Sequence, residues 1–165
     1  MPAPRASAIR GTMADRAHAV RYRPKPEPAE DITDPEEPRR VVLYTLQRRA
    51  ALRSLFSGEV FSGVAADNPL DAHPYLLRAL QYYGEETDRP CPVCRKGRLA
   101  HVHYSFSDEF PREGNGSARR SDDLPDLARN YGAVGIYVVE VCGRCHWNHL
   151  VVSYVLGDGK PRSRR

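Results

Sequence analysis

The sequence predicts an α+β protein: a helical pair packed on a three-stranded antiparallel module with a helical insertion, preceded by a disordered tail. Three observations predict it. Residues 39–84 carry apolar positions at helical spacing, and the second half carries alternating and continuous apolar runs of strand length. Two Cys-x-x-Cys pairs, Cys91/Cys94 and Cys142/Cys145, bracket those runs. The 165 residues suit one domain with a tail, and the net charge of +4 is too small to define a partner by itself. No apolar run approaches the roughly 18 residues of a membrane span, and no apolar core follows the basic N-terminus as a secretory signal requires. The expectation is a cytoplasmic protein that does not enter a membrane.

Residues 1–38 read as a Pro/charge-rich tail. The segment Arg23-Pro24-Lys25-Pro26-Glu27-Pro28 alternates proline with charge, and such composition buries too little apolar surface to offset the entropy of ordering. Met13 is an alternative start within it. Residues 39–56 predict a first helix, closed by Gly58. Its apolar positions fall on two sides, Val41/Tyr44/Leu52/Leu55 and Val42/Leu46/Ala50, and Arg49 and Arg53 turn the second side basic. Pro74 to Tyr83 predicts a second helix, with Pro74 at the first helical position and Gly84 as terminator.

Leu99 to Phe106 alternates, with Ala100, Val102, Tyr104 and Phe106 on one face and His101, His103 and Ser105 on the other, as a half-buried strand would. Val134 to Val141 is almost wholly apolar and predicts a central strand. Trp147 to Leu156 predicts a third. The 107–132 insertion between the first two holds a Gly/Ser turn and a short helix near Leu124 to Tyr131. A basic stretch, 159–165, ends the chain.

The cysteine pairs carry the chemistry. Cys91 and Cys94 immediately precede the first strand, and Cys142 and Cys145 fill the turn between the second and third. Two-residue spacing points both thiolates of a pair at one ion, with Gly97 and Gly143 supplying backbone freedom in the turns. Two such knuckles joined by three antiparallel strands form a zinc ribbon over about 88–158, with Zn2+ held by four thiolates and no coordination position left open for catalysis. The 47 residues between the pairs exceed the usual ~15–20, which makes the middle an insertion. Iron or an iron–sulfur cluster is the alternative occupant, and a thiol-redox pair the alternative use. Pro90-Cys91-Pro92-Val93-Cys94 also matches half of the zinc deaminase signature, but the upstream histidines, His18 and His73, lack the His-x-Glu that supplies the proton shuttle. His101 and His103 fit a solvated strand face, and His146 a hydrogen bond near the sulfurs. No catalytic constellation emerges.

Arg95, Lys96 and Arg98 follow the first pair and Arg144 lies inside the second. From Cys91 onward 12 basic residues face 8 acidic ones, the whole of the net charge. These cations either contact phosphate or offset the −2 charge of a tetrathiolate zinc centre. With Trp147 they are the candidate contacts to nucleic acid or a partner.

The chain resembles a small actinobacterial family of unknown function with a two-helix N-terminal part and a zinc-ribbon-like tail. The resemblance rests on Val42-Leu43-Tyr44-Thr45-Leu46-Gln47-Arg48-Arg49, on Asn68 and His73-Pro74-Tyr75-Leu76-Leu77-Arg78-Ala79, on Cys91-Pro92-Val93-Cys94-Arg95, on Gly116-Ser117-Ala118-Arg119, and above all on Val139 to Gly157 with its Trp147-Asn148-His149-Leu150 run. It covers about residues 40–158, implies the architecture and a bacterial cytoplasmic setting, and implies no reaction.

The expected function is that of a non-enzymatic zinc-binding module docking on a nucleic-acid-handling assembly such as the transcription or translation machinery. A zinc-stabilised protein–protein adaptor, contacting its partner through the helical pair, is the alternative.

Overall fold

The computed structural model describes residues 34–57 and 70–162. Among them an antiparallel sheet of six strands is flanked by three helices. In chain order these are β1 (Arg39–Leu43), α1 (Thr45–Ser57), α2 (Pro74–Tyr83), β2 (Glu85–Pro90), β3 (Arg98–Phe106), β4 (Ser117–Arg119), α3 (Leu124–Asn130), β5 (Val134–Val141) and β6 (Asn148–Leu156). The sheet order is β1-β6-β5-β3-β2, and β4 pairs with β3 beyond the end of β2. The tail as far as residue 33, Gly58 and the last three residues lie outside the described residues.

The strands of the second half form where the apolar pattern places them. β3, β5 and β6 are consecutive neighbours, with Tyr104 opposite Tyr137 and Ile136 opposite Tyr154. β5 is the most deeply covered, in keeping with its continuous apolar sequence. α3 caps one end of the sheet, where Leu124 and Ala128 pack with Phe110, Val134, Ile136, Val138 and Leu156. A proline in its first turn presets the backbone there.

The first half departs from expectation in three ways. Residues 39–43 are a strand, not the first turns of a helix. Their β-branched run pairs antiparallel with β6, Val42 opposite Ser153, and the helix begins only at Thr45. The two helices are also not a pair, for each rests on the sheet: α1 against β6, α2 against β3 and β4. The inward side of α1 is Arg48, Ala51, Leu52 and Leu55, spaced at i, i+3, i+4 and i+7, while Leu46 is exposed. Finally, Glu85–Pro90 is a strand that no apolar periodicity announces. As an outer strand it carries Glu85, Glu86, Asp88 and Arg89, charges that keep an open edge from pairing with other chains.

Both faces of β3 are covered. His103 and Ser105 are buried and His101 is half-buried, so the expected solvated histidine face does not exist. α2 contributes to that cover, and β4 pairs along the edge of β3.

The chain preceding β1 is clasped at the far end of β6. The Gly157 amide donates to the Pro35 carbonyl oxygen at 2.8 Å, and the Arg39 guanidinium donates to the Gly157 carbonyl oxygen. Gly157 has φ +99°, and a Cβ there would run into the backbone of Gly132. Gly157→Ala should therefore destabilise the protein by roughly 1–2 kcal/mol from the backbone conformation alone, and by more from the clash. Urea denaturation of the two proteins checks it.

Candidate metal centre

The two knuckles are built alike. In the first, the Cys91 amide donates to the Gly97 carbonyl oxygen at 2.8 Å and the Arg95 amide to the Cys91 carbonyl oxygen at 3.0 Å. In the second, the Cys142 amide donates to the Trp147 carbonyl oxygen at 2.8 Å and the His146 amide to that of Cys142 at 2.9 Å. Each turn reverses through a left-handed residue directly after its second cysteine, Arg95 at φ 53° and His146 at φ 64°. These two, rather than the glycines, take up the strained backbone. Gly97 serves by its size: a Cβ there would sit 3.0 Å from the Cys142 sulfur and 3.8 Å from that of Cys94.

The geometry of the sulfurs is that of one four-ligand group. All four Sγ atoms lie within 4.8 Å of one another, and they form the one group of at least three potential metal ligands among the described residues. The close approaches run between knuckles, Cys91 to Cys145 at 3.5 Å and Cys94 to Cys142 at 3.8 Å. No disulfide joins them. Tetrahedral thiolates ~2.3 Å from a central ion stand ~3.8 Å apart, so the separations fit an ion at the centre. Cys91 and Cys142 are buried; Cys94 and Cys145 are half-buried.

Local electrostatics fit the same role. The backbone amides of Lys96 and Gly97 face Cys94 and bring its thiol down to about 6, whereas burial pushes Cys145 up to about 12 and raises Cys91. Thiols so unequal become thiolates together when a cation supplies the missing charge.

The cluster also anchors what surrounds it. Cys91, Leu99, Cys142 and Trp147 form one buried group, against which Ala51, Leu52 and Leu55 of α1, with Leu70 and Val93, are packed. Trp147 is fully buried, so the expected contact to nucleic acid through its ring is corrected. Its Nε1 donates to Glu140 Oε1 at 2.9 Å, and Arg48 Nε donates to the same oxygen at 2.5 Å. The Glu140 side chain is 1% exposed and that of Arg48 25%. Sequence reasoning missed this pair. Glu140 interrupts the apolar run of β5, and a lone carboxylate in such a run was the signal. Arg95, Lys96, Arg98 and Arg144 are exposed around the knuckles. The Arg144 Cβ comes 3.4 Å from the position a Cβ on Gly97 would take, and Arg98 Nη1 lies 3.3 Å from Asp88 Oδ1.

Two outcomes follow. Cys142→Ser should lose the bound ion and with it folding free energy on the order of 10 kcal/mol, so that the cooperative melt disappears; metal content and thermal unfolding measure both effects. Arg48→Met should cost roughly 3–5 kcal/mol by leaving the Glu140 carboxylate buried without its counter-charge, whereas exposed Arg49→Ala should fall within about 0.5 kcal/mol of wild type in chemical denaturation.

Comparison with known proteins places the chain. Residues 36–165 match the model of a family of unknown function, DUF5318. An uncharacterized protein of Mycobacterium tuberculosis, Rv0049, and one of Mycobacterium bovis, Mb0050, are each 43% identical over 118 residues, which cover 72% of this chain and 82% of the relative. No solved structure matches it. No helix among the described residues is long and apolar enough to cross a membrane. The match takes in all the described elements and all four cysteines, and the chain belongs to the DUF5318 family.

Proposed function

We propose that the protein is a non-enzymatic, cytoplasmic zinc-binding module whose ion is structural and whose exposed knuckle surface docks on a nucleic-acid-handling assembly. The observation that carries the reading is the convergence of four sulfurs, two of them buried, with cross-knuckle separations suited to one tetrahedral ion. Four thiolates close the coordination sphere, so a Zn2+ held there supplies folding energy and a fixed turn geometry, not a reactive position. Cys91 and Cys94 hold the first turn and Cys142 and Cys145 the second. Reduced cysteines at this spacing suit a reducing compartment.

The partner surface is the rim of that site. Arg95, Lys96, Arg98 and Arg144 are exposed, and the approach of Arg144 to Gly97 gathers cations from both knuckles in one place. Such a patch suits phosphate. A second reading, a protein–protein adaptor, is favoured by a separate observation: Leu43, Leu46 and Phe56 on β1 and α1 are 68%, 73% and 65% exposed, as is apolar surface that a protein partner covers.

Affinity capture from the native host, with and without nuclease, separates the two. Transcription or translation components lost on nuclease treatment support the first reading, and a protein retained through it supports the second. If phosphate contacts carry binding, the double variant Lys96→Glu/Arg144→Glu should keep its zinc and its melting temperature. It should lose affinity for nucleic acid and flatten the slope of log K against log salt by roughly 1.4–1.8. An unchanged slope sinks the nucleic-acid reading.

A further inference from the structure

A row of alternating carboxylates and imidazoles crosses the sheet beside the cysteine cluster. Glu85 on β2 stands opposite His101 on β3, His101 opposite Glu140 on β5, and Glu140 opposite His149 on β6. Directly opposed residues of antiparallel strands share a face, so the four side chains lie in one line.

Three features at the centre of this line are unaccounted for by the fold. Glu140 is fully buried, yet only its Oε1 is occupied, by Arg48 and Trp147; Oε2 has no hydrogen-bond partner. A buried carboxylate oxygen without a donor calls for a water, an ion or a chemical role. The Nδ1 of His149 lies 2.6 Å from the Leu150 carbonyl oxygen, which makes it the N–H nitrogen and leaves Nε2 with the free lone pair. Burial holds His101 and His149 below the ordinary imidazole range, in the neutral form that ligates metals.

We propose that His101, Glu140 and His149 form a second metal site, distinct from the cysteines, for a divalent first-row transition ion. Each element of the arrangement is what such a site requires. Ligating carboxylates are held by hydrogen bonds on the other oxygen, as Arg48 and Trp147 hold Oε1. Ligating histidines donate their second nitrogen to a carbonyl, as His149 does. Two imidazoles and a carboxylate select Zn2+, Fe2+ or Co2+ over Mg2+ or Ca2+. The strands of His101 and His149 are two sheet spacings apart, about 9.5 Å, so an ion above Glu140 lies within reach of an imidazole leaning in from either side. The three groups stand farther apart than the sulfurs do, since only the cysteines gather within 4.8 Å. Binding therefore brings the His101 imidazole toward Oε2, while His149 keeps its Nδ1 hydrogen bond to the Leu150 carbonyl oxygen and presents Nε2. The positive charge of Arg48 on the same carboxylate makes this ion the weaker of the two held, and the first removed by a chelator.

The test counts cobalt. Full-length protein is reconstituted with Co2+, passed through a desalting column and assayed for metal per chain and for visible and near-ultraviolet absorption. Two ions per chain are expected, one with the intense thiolate-to-cobalt band and one without it. His101→Gln and His149→Gln should each bind one ion and keep that band, which also reports that the variant is folded. A single ion in the wild-type protein overturns the proposal however the variants fold. A second ion that persists in both variants overturns it as well, placing that ion elsewhere on the surface. The thiolate band follows the cysteine site by itself, so failure of the second site is not confused with failure of the first.

Discussion

Four sulfurs from turns 47 residues apart in sequence meet within 4.8 Å, and that meeting sets the position of most of what surrounds them. One knuckle leads into β3 and the other joins β5 to β6, so holding the turns together holds the ends of three neighbouring strands. A cluster of thiols alone would be a weak apolar contact, and four unneutralised thiolates would repel one another. A cation held at the centre would turn the same atoms into a fixed group of four ligands. Gly97 shows how little room the arrangement leaves, because even a methyl group there would press on a sulfur.

A second constraint stands on the first. Trp147 follows the second knuckle by two residues, and the knuckle's own hydrogen bond from Cys142 places its backbone. From there the indole reaches Glu140, and Arg48 meets the same oxygen from α1, 92 residues away in sequence. One buried carboxylate thus joins the knuckle, the central strand and the first helix. Taking a carboxylate out of water costs several kcal/mol, and the charge of Arg48 with two directed donors offsets it. The pair specifies where α1 lies along the sheet more sharply than Ala51, Leu52 and Leu55 could, since apolar contact is not directional.

The surface divides accordingly. The rim of the cysteine site is polar and cationic, whereas β1 and α1 leave Leu43, Leu46 and Phe56 in water. The two outer edges of the sheet differ: β2 carries charges along its length, and β1 carries Arg39 and Arg40 at its start and only Val41, Val42 and Leu43 after them. The exposed cations lie around the knuckles and the exposed apolar side chains on β1 and α1, so the two kinds of surface come from different parts of the fold.

The sequence alone determined the strands β3, β5 and β6, the helices α2 and α3, and the two cysteine pairs that the fold gathers into one cluster. Each of those depends on a local pattern: alternation, a continuous apolar run, a proline at a helix start, a two-residue cysteine spacing. Only the tertiary structure decided the rest. Arg39–Leu43 is apolar enough for either helix or strand, and pairing with β6 chose the strand. Glu85–Pro90 has no pattern of its own and is a strand because β3 offers it an edge. Trp147 looked like surface beside a basic turn, and His101 and His103 like a solvated face, because a sequence does not show what will cover a residue. Glu140 was legible only as an anomaly. Its burial is acceptable because Arg48 and Trp147 arrive from other elements, and the cost of hiding a charge is decided by partners that only the folded chain brings together.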